Sequence, residues 1–364
     1  MGSLHSLFLK PSLKCTANCI HCRRRKEFYH SRGDSRLTLS DFIEVIEEAG
    51  SLGATSLHLS GGEPTLYNDL PQLIEAGRKL SMFVVLNTNG SLINREYAEN
   101  LLAAGLNSVI ISIHSGDKER HEKIRGRKGN YEEVLNSIKI FRELRDTVYP
   151  NFLISTQTII TKSNFLDLPS IIDLVCELQV DAHGISYLEG DFQCENTLNI
   201  EQIEILRSTV IPKVLHRLKE HKFRNIALRF AAVNLMKRLY KGDAERIKDF
   251  SQGIYIRKNG SLNCRTPKGF ALVLNDGSVL PCNMTEYTDG PILGNIKERS
   301  LKEIVTSTEW KNFLKTGYKY CKNCPTHLHF HIPISTTIIK ILPLIFNNPA
   351  YEQKSLKDRI SEAM

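Results

Sequence analysis

The sequence predicts an α/β protein in which a partial (β/α)6 TIM-like barrel is followed by a smaller α+β domain. Six strand-type segments alternate with helix-type segments between residues 4 and 218, which is typical of parallel strands joined by crossover helices. Polar and glycine-rich clusters follow the predicted strands, where such barrels carry their chemistry. Beyond about residue 225 the alternation ends. We therefore predict a barrel core over 5–225, an auxiliary domain over 226–330 and a tail over 331–364.

Each element follows from a local pattern. Leu4–Lys10 reads as a strand that leads into a cysteine-rich loop, and Thr38 or Ser40 caps a helix with apolar residues at helical spacing. Asn275-Asp276-Gly277 between two apolar runs predicts a β-hairpin. The other predicted elements are strands over 56–60, 82–86, 108–113, 152–160 and 182–188, and helices over 69–80, 94–104, 131–144, 166–178, 200–218, 301–305 and 309–314.

The composition is that of a soluble globular protein. Of 364 residues, 41% are hydrophobic and 24% charged, and the net charge is +8. No Lys/Arg block is long enough to indicate nucleic acid binding; the run over 23–26 is either a solvated loop or attracts an anionic substrate or redox partner. A secretory signal and a spanning segment are both missing, so we expect a cytoplasmic protein. The apolar stretch 332–346 either packs on the fold or lies on a membrane surface.

Three cysteines near the N-terminus form the first candidate site. Cys15, Cys19 and Cys22 are separated by three and then two residues, so one loop can direct three thiolates toward one soft metal centre. A [4Fe–4S] cluster normally takes four thiolates, so three would leave one iron free for an outside ligand. Zinc is the alternative, but zinc sites want four ligands and His21 is the one local candidate for the fourth. In a reducing compartment these cysteines favour metal or redox chemistry over disulfides.

The second candidate site is Gly61-Gly62-Glu63-Pro64, directly after the second predicted strand. Glycines let the main chain approach a ligand closely. Together with the Cys-x3-Cys-x2-Cys loop, this motif resembles the radical S-adenosylmethionine (SAM) superfamily. The resemblance implies that the three cysteines hold a [4Fe–4S] cluster, that SAM chelates its fourth iron, and that the backbone at 61–64 contacts the methionine amino group. Cleavage of SAM would yield a 5′-deoxyadenosyl radical that abstracts a substrate hydrogen atom in a site closed to solvent.

Three further residues extend the resemblance toward SAM. Asn89 lies in an Asn-Thr-Asn-Gly turn that matches the family's loop after the third strand. Ser112 begins a stretch similar to the Ser-Leu-Asp-Gly strand end of members with auxiliary clusters, where it would face the ribose or carboxylate of SAM. His114 replaces the aspartate of that pattern. Arg125 matches an arginine that helps to hold SAM. A structural role is the alternative for each.

Four cysteines in the C-terminal third complete the pattern. Seventeen residues separate Cys264 from Cys282, Cys321 and Cys324 form a Cys-x2-Cys pair, and no cysteine follows. This resembles the shortened SPASM auxiliary domain called twitch, and implies a second [4Fe–4S] cluster, fully ligated by protein, that moves electrons. A structural zinc on the same four residues is the alternative. The resemblance covers about residues 8 to 325.

Two cysteines lie outside both patterns. Cys176 falls within a predicted helix with an apolar face, so we expect it to pack in the core. Cys194 follows the sixth predicted strand on the active-site side. It could give a hydrogen atom to a substrate radical, as a cysteine does in peptide epimerases of the superfamily; an incidental loop position is the alternative.

The resemblance implies an oxidoreductase-like radical SAM enzyme that acts on a small molecule or a peptide, with flavodoxin or ferredoxin as its reductant. A single twitch cluster resembles the alcohol dehydrogenases of aminoglycoside pathways, which favours net oxidation. Peptide maturases and epimerases are the alternative; many carry an N-terminal leader-recognition domain, for which we expect no room before Cys15, although a separate partner could supply it. A non-catalytic iron–sulfur or zinc scaffold is the other class, and residues 61–64 argue against it.

Overall fold

The computed structural model describes residues 4–22, 37–187, 195–220, 269–286 and 290–316. The strands in these ranges are β1 Ser6–Ser12, β2 Ser56–Gly61, β3 Phe83–Thr88, β4 Ser108–Ser112, β5 Leu153–Ile160, β6 Ala182–Tyr187, β7 Phe270–Leu274, β8 Ser278–Leu280 and β9 Gly294–Asn295. The helices are α1 Leu39–Ser51, α2 Leu70–Lys79, α3 Arg95–Ala103, α4 Lys118–Arg125, α5 Asn130–Thr147, α6 Leu168–Glu177, α7 Ile200–Ile205, α8 Ile211–Glu220, α9 Leu301–Thr306 and α10 Thr308–Thr316.

The described strands form one sheet in the order β6-β5-β4-β3-β2-β1-β7-β8-β9. Strands β1 to β6 pair in parallel with their neighbours, as crossover helices require. The predicted α/β fold with a partial barrel is confirmed. Strand β7 pairs in parallel with β1, and β8 and β9 follow antiparallel, so the predicted hairpin is present and extends the barrel sheet beyond β1. The predicted domain boundary near residue 225 lies outside the described residues.

Side chains alternate between two faces of the sheet because strands have a period of two residues. Leu7 and Leu9 of β1 are fully buried in the main core beneath the helices. Phe8, between them, points to the opposite face, where it packs against Phe270 and Leu272 of β7. We call this second face, which lines the barrel, the inner face. It determines what surrounds a molecule bound in the barrel.

Helix α1 begins where the sequence predicts it. Thr38 is the N-cap: its side chain accepts a hydrogen bond from the backbone N–H of Asp41, whose carboxylate accepts the backbone N–H of Thr38 at 2.7 Å. This reciprocal pair satisfies two donors that the first helical turn leaves free. Phe42 and Ile46 then fall at helical spacing and are fully buried.

Two helical features differ from the expectation. Helix α4 was not predicted, because its sequence Lys-Glu-Arg-His-Glu-Lys-Ile-Arg is mostly charged and carries no apolar stripe. The helix predicted over 200–218 contains a π-helical turn at Leu206–Val210 between α7 and α8. Pro212 follows this turn and has no N–H to donate into the preceding turn, which accounts for the local change of winding.

No helix among the described ranges combines the length and apolarity needed to cross a membrane. The basic run at 23–26 and the tail predicted over 331–364 fall outside those ranges. For the basic run, a solvated loop or a surface that attracts an anion therefore stays a prediction. For the apolar stretch in the tail, packing on the fold or contact with a membrane surface stays a prediction as well.

Candidate active site

The N-terminal cysteine loop lies at the carboxyl end of β1 and is held by the end of α4. The backbone N–H groups of Asn18 and Ile20 donate to the carbonyl oxygens of Arg125 and Ile124, both at 2.9 Å. Gly126 ends α4 in the left-handed conformation, with φ at +59°. A β-carbon on Gly126 would lie 2.3 Å from the carbonyl oxygen of Asn18, so only glycine fits between the helix and the loop.

The three thiols of the loop are close enough to affect one another. Cys15 is exposed, Cys22 is intermediate and Cys19 is buried. Burial raises the pKa of Cys19, the Arg125 guanidinium lowers it, and the neighbouring thiols Cys22 and Cys15 raise it again. Three converging thiols are the donors that an iron–sulfur cluster uses. No group of three or more His, Cys, Asp or Glu side chains in the described ranges is arranged to hold a single metal ion.

The glycine motif lies directly against the cysteine loop. Gly62 donates its N–H to the carbonyl oxygen of Ser12 at 2.8 Å, and Glu63 donates to that of Lys14 at 2.7 Å. A β-carbon on Gly62 would come within 2.0 Å of the Lys14 oxygen, and Gly61 has φ at +138°. The backbone at 61–64 therefore closely approaches the residue that precedes Cys15, whereas its contact with the methionine amino group of SAM stays a prediction.

Glu63 organises the loops around the site with its side chain. It is fully buried. Its carboxylate accepts hydrogen bonds from Thr65 N–H at 3.2 Å, Thr65 Oγ1 at 2.7 Å, Thr88 Oγ1 at 2.6 Å and Asn89 N–H at 2.7 Å. The side chain of Glu63 thus joins the ends of β2 and β3, while its backbone is the part placed beside the cysteine loop. Pro64 is buried and is the first residue of a 3-10 turn over Pro64–Leu66.

Asn89 connects the β3 loop to the cysteines. Its Nδ2 donates to Thr16 Oγ1 at 2.9 Å and lies 3.6 Å from Cys15 Sγ. The Thr16 hydroxyl also hydrogen-bonds Ser91 Oγ at 2.6 Å. The sequence-predicted residue is therefore next to the candidate cluster, and it positions the loop that carries Cys15.

Arg125 has a buried donor that no described residue satisfies. Its Nε donates to Asn130 Oδ1 at 3.0 Å and its Nη1 lies 3.4 Å from His114 Nε2. Nη2 has no hydrogen-bond partner among the described residues, and the side chain is only 4% exposed. A buried guanidinium with a free donor is costly unless an anion meets it. Beside Cys19, it suits a thiolate-bound cluster or the carboxylate of SAM.

His114, which stands where the family pattern has aspartate, is part of a buried histidine group. Its Nδ1 accepts the N–H of Ile159 at 3.3 Å, and its ring meets that of His21 edge-on with centroids 4.8 Å apart. Burial, together with His21 and Arg125, holds the pKa of His114 well below its usual value. The imidazole is therefore neutral and does not supply the negative charge of an aspartate.

The inner face below these loops carries both apolar and polar side chains, and two of its charged residues, Lys10 and Glu286, form an ion pair. The register of the strands places Phe8, His58, Val85 and Ser108 side by side. His58 stacks on Phe8 with centroids 4.1 Å apart, and burial lowers its pKa to about 3. Neither His58 Nε2 nor Asn87 Oδ1 has a hydrogen-bond partner in the described residues. Other polar residues on this face are Ser6, Ser56, Ser60, Ser112, Ser155, Gln157 and Ser186, with the ion pair of Lys10 and Glu286.

Ser112 occupies the position that the sequence predicts for a contact with SAM. It is the last residue of β4, beside Gln157 of β5 in the register. Sequence reasoning missed Lys10, His58 and Glu286 on the inner face. The period-two pattern of β1 and β2 was a signal for the first two, whereas nothing local in the sequence marks Glu286.

The described part of the auxiliary domain contains Cys282. It follows β8, is 9% exposed, and begins a turn in which its carbonyl oxygen accepts Thr285 N–H at 3.2 Å and Thr285 Oγ1 at 2.6 Å. Cys264, Cys321, Cys324 and the hydrogen-donor candidate Cys194 lie outside the described residues. Cys176 packs against the main core, as predicted, and burial raises its pKa to about 12.

The residues present fit a cluster with a bound SAM. Three thiols that influence one another lie in one loop, the backbone of Gly62 abuts that loop, and Nη2 of Arg125 has no hydrogen-bond partner among the described residues. The cysteine thiols are soft donors that suit iron, and the Arg125 guanidinium beside them is a cation that suits a carboxylate.

Comparisons with known proteins agree with this arrangement. The family model of the radical SAM superfamily matches residues 9–175, and that of the SPASM iron–sulfur cluster-binding domain matches 264–325. The AdoMet-dependent heme synthase of Methanosarcina barkeri is 28% identical over 304 residues, 82% of this chain and 79% of that protein. The PqqA peptide cyclase of Xanthomonas euvesicatoria is 25% identical over 325 residues, which are 88% of this chain and 80% of that protein.

Among solved structures, Streptococcus suis SuiB bound to its precursor peptide SuiA superimposes with a TM-score of 0.63 at 17% identity, over 87% of this chain and 67% of SuiB. At this identity the likeness establishes the shared fold. The two family models match the chain in the order that the cysteine patterns predict. The chain therefore belongs to the radical SAM superfamily, as an enzyme that binds SAM at a [4Fe–4S] cluster and carries a C-terminal SPASM-type auxiliary cluster domain.

Proposed function

We propose that this enzyme abstracts a hydrogen atom from a neutral polar part of a peptide or small molecule and completes a net oxidation. The observation that carries the proposal is a set of polar groups on the inner face: hydroxyls, amides, the neutral His58 imidazole and one ion pair, which lie among apolar side chains such as Phe8 and Phe270. His58 Nε2 and Asn87 Oδ1 are buried there without partners in the described residues. Because unsatisfied buried polar groups are costly, an amide or hydroxyl of the substrate would stabilise them.

The residues at the rim have distinct roles in this proposal. Cys15, Cys19 and Cys22 bind the first cluster, and the backbone of Gly61, Gly62, Glu63 and Pro64 receives the amino group of SAM. Arg125 neutralises the SAM carboxylate with its unpartnered Nη2, Asn89 orients the Cys15 loop, and Ser112 contacts the ribose or carboxylate. When bound, SAM and its cluster would supply a 5′-deoxyadenosyl radical. Cys264, Cys282, Cys321 and Cys324 would hold an auxiliary cluster that could accept the second electron.

Two relatives support a peptide as the substrate. One is named a PqqA peptide cyclase, and the other, SuiB, is described with a precursor peptide bound. A peptide offers uncharged amides that match the inner face. A tetrapyrrole with several carboxylates would need cations there, and the one cation described on this face, Lys10, is already paired with Glu286.

The test is anaerobic turnover of the reconstituted enzyme with SAM and a reductant, either dithionite or reduced flavodoxin. The candidate substrates are peptides encoded beside its gene and small molecules made by the enzymes encoded there. We expect 5′-deoxyadenosine together with a product that lacks two hydrogen atoms, detected by mass spectrometry. Absence of 5′-deoxyadenosine from enzyme with both clusters loaded would refute the radical chemistry. A product of unchanged mass that takes up deuterium from the solvent would refute net oxidation and favour epimerisation. Loss of that deuterium uptake in Cys194→Ser would then assign the hydrogen donor.

A further inference from the structure

We propose that the buried ion pair of Lys10 and Glu286 is a positioning couple that lets the auxiliary cluster assemble, because it ties β1, the strand that leads into the loop of one cluster, to the turn that carries Cys282 of the other. The inference rests on the proposed ligand role of Cys282. It adds two residues that no sequence motif of either cluster contains.

The pair joins parts of the chain that are far apart in sequence. Lys10 Nζ and Glu286 are separated by 276 positions, and their side chains are 4% and 0% exposed. Lys10 lies on the inner face of β1, paired in register with Leu274 of β7 and five residues before Cys15. Glu286 lies four residues after Cys282. Each member is thus within five residues of a cysteine assigned to a different cluster.

The turn between Cys282 and Glu286 transmits this contact to the cysteine. It is a short 3-10 segment over Asn283–Glu286, and both the N–H and the hydroxyl of Thr285 donate to the Cys282 carbonyl oxygen. With Thr285 fixing the start of the turn and Glu286 its end, the backbone of Cys282 has a defined position relative to β1. Metal ligands are commonly oriented by such outer contacts, whose loss weakens metal binding about 10- to 100-fold.

The pair is poorly explained as a source of stability alone. Replacing a buried ion pair by apolar residues of similar volume is often neutral or stabilising, whereas removal of one partner leaves a buried charge. An ion pair differs from an apolar contact mainly in its direction, since Lys10 Nζ must meet a carboxylate oxygen of Glu286. This directional requirement is what would fix the register of the Cys282 turn against the first strand.

The experiment compares iron content and electron paramagnetic resonance spectra of anaerobically reconstituted full-length variants. Two [4Fe–4S] clusters give about eight irons per chain. We expect three variants to retain about four irons per chain: Lys10→Met, Glu286→Gln and the apolar double variant Lys10→Met/Glu286→Leu. Their spectra should keep the signal of the first cluster, which responds to SAM, and lose the signal of the auxiliary cluster. The double variant removes both charges of the pair together. A full iron content with an unshifted second signal in the double variant would overturn it.

A matched control is the buried pair of Arg145 and Asp181, which are 2% and 3% exposed. It lies at the opposite ends of the strands, where Asp181 accepts the N–H of Ile154 at 2.8 Å. Arg145→Met/Asp181→Leu should keep both clusters. If it loses iron in the same way, the effect is general destabilisation and the proposal fails.

Cys282→Ala separates this inference from the ligand assignment. If Cys282→Ala keeps about eight irons with an unshifted second signal, the proposed ligand is wrong, whereas iron kept on the other three thiolates with a shifted signal agrees with it. If Cys282→Ala loses iron or shifts the second signal while the three pair variants keep about eight irons and an unshifted signal, only the positioning couple is wrong. Insoluble protein from all three pair variants, with soluble Cys282→Ala, would also overturn the proposal, because the pair would then be a requirement of the fold.

Discussion

Gly62→Ala should displace the N-terminal cysteine loop and prevent assembly of the cluster on Cys15, Cys19 and Cys22, without otherwise disturbing the barrel. The new β-carbon would lie 2.0 Å from the carbonyl oxygen of Lys14 and 2.5 Å from that of Leu13. Side-chain β-carbons essentially never come within 3.0 Å of another heavy atom, so the Lys14 carbonyl must retreat by about 1 Å. Both obstructing atoms belong to the backbone, so no rotamer change relieves the clash.

The displacement has an energetic and a functional consequence. It breaks the hydrogen bonds from Gly62 N–H to Ser12 and from Glu63 N–H to Lys14, at 2.8 and 2.7 Å, which contribute about 1 kcal/mol each. Cys15 follows Lys14 directly and moves with it. We expect about half of the iron to be lost and no 5′-deoxyadenosine to form with SAM and dithionite.

The control for this prediction is another glycine-to-alanine change, in the loop that follows β4. A β-carbon on Gly116 would lie 3.2 Å from the nearest atom, the Ser170 carbonyl oxygen, so the neighbour need give only a few tenths of an ångström. Gly116→Ala should retain both clusters and SAM cleavage. Full iron content and normal 5′-deoxyadenosine formation in Gly62→Ala would show that the contact of this motif with the loop is not what positions the cluster.

Three further outcomes are expected. Glu63→Gln replaces one carboxylate oxygen by an amide NH2 group, which would face a backbone N–H donor instead of accepting from it. The change should lower the free energy of unfolding by about 2–3 kcal/mol in anaerobic denaturant titrations. Glu132→Gln, in an exposed pair, should change it by less than about 1 kcal/mol. Arg125→Met should weaken SAM binding by about tenfold or more in equilibrium dialysis, whereas Arg120→Met, whose partner is Asp167, should not. Burial lowers the pKa of His58 from 6.5 to about 3, so below pH 6.5 the unfolded chain takes up a proton that the folded chain does not, and the free energy of unfolding decreases as the pH is lowered. His58→Phe should make this decrease shallower by about 1.4 kcal/mol per pH unit between pH 6 and 4. An unchanged slope would contradict the reasoning.

The barrel and the rim of the site could be predicted because their signals are local. The alternation of strands and helices fixed β1 to β6 in parallel order, and the caps and glycines marked the ends. Cys15, Cys19 and Cys22 lie within eight residues, so their convergence depends on one loop alone. Gly61 and Gly62 follow a strand whose carboxyl end the parallel topology brings to the same edge.

What the sequence did not predict depends on contacts between distant segments. Helix α4 carries Arg125, yet its charged sequence has no apolar stripe, and it forms because its end packs on the cysteine loop through Gly126 and Asn18. Only three of its residues, His121, Ile124 and Arg125, are buried. The pairing of β7 with β1 likewise joins strands at opposite ends of the chain, which no local period can reveal.

The side chain of Glu63 suggests why a short motif is recognisable when the pocket beneath it is not. Its two carboxylate oxygens accept four donors from the β2 and β3 loops, so replacement by any residue without two acceptors leaves at least one buried donor unsatisfied. Asn87 on the inner face has no such obligation, because its Oδ1 has no hydrogen-bond partner among the described residues. A position bound by four internal contacts tolerates few residues, whereas one that faces a ligand can change whenever the ligand does. The SAM-binding rim therefore identifies the family, and the inner face is where the individual reaction must be sought.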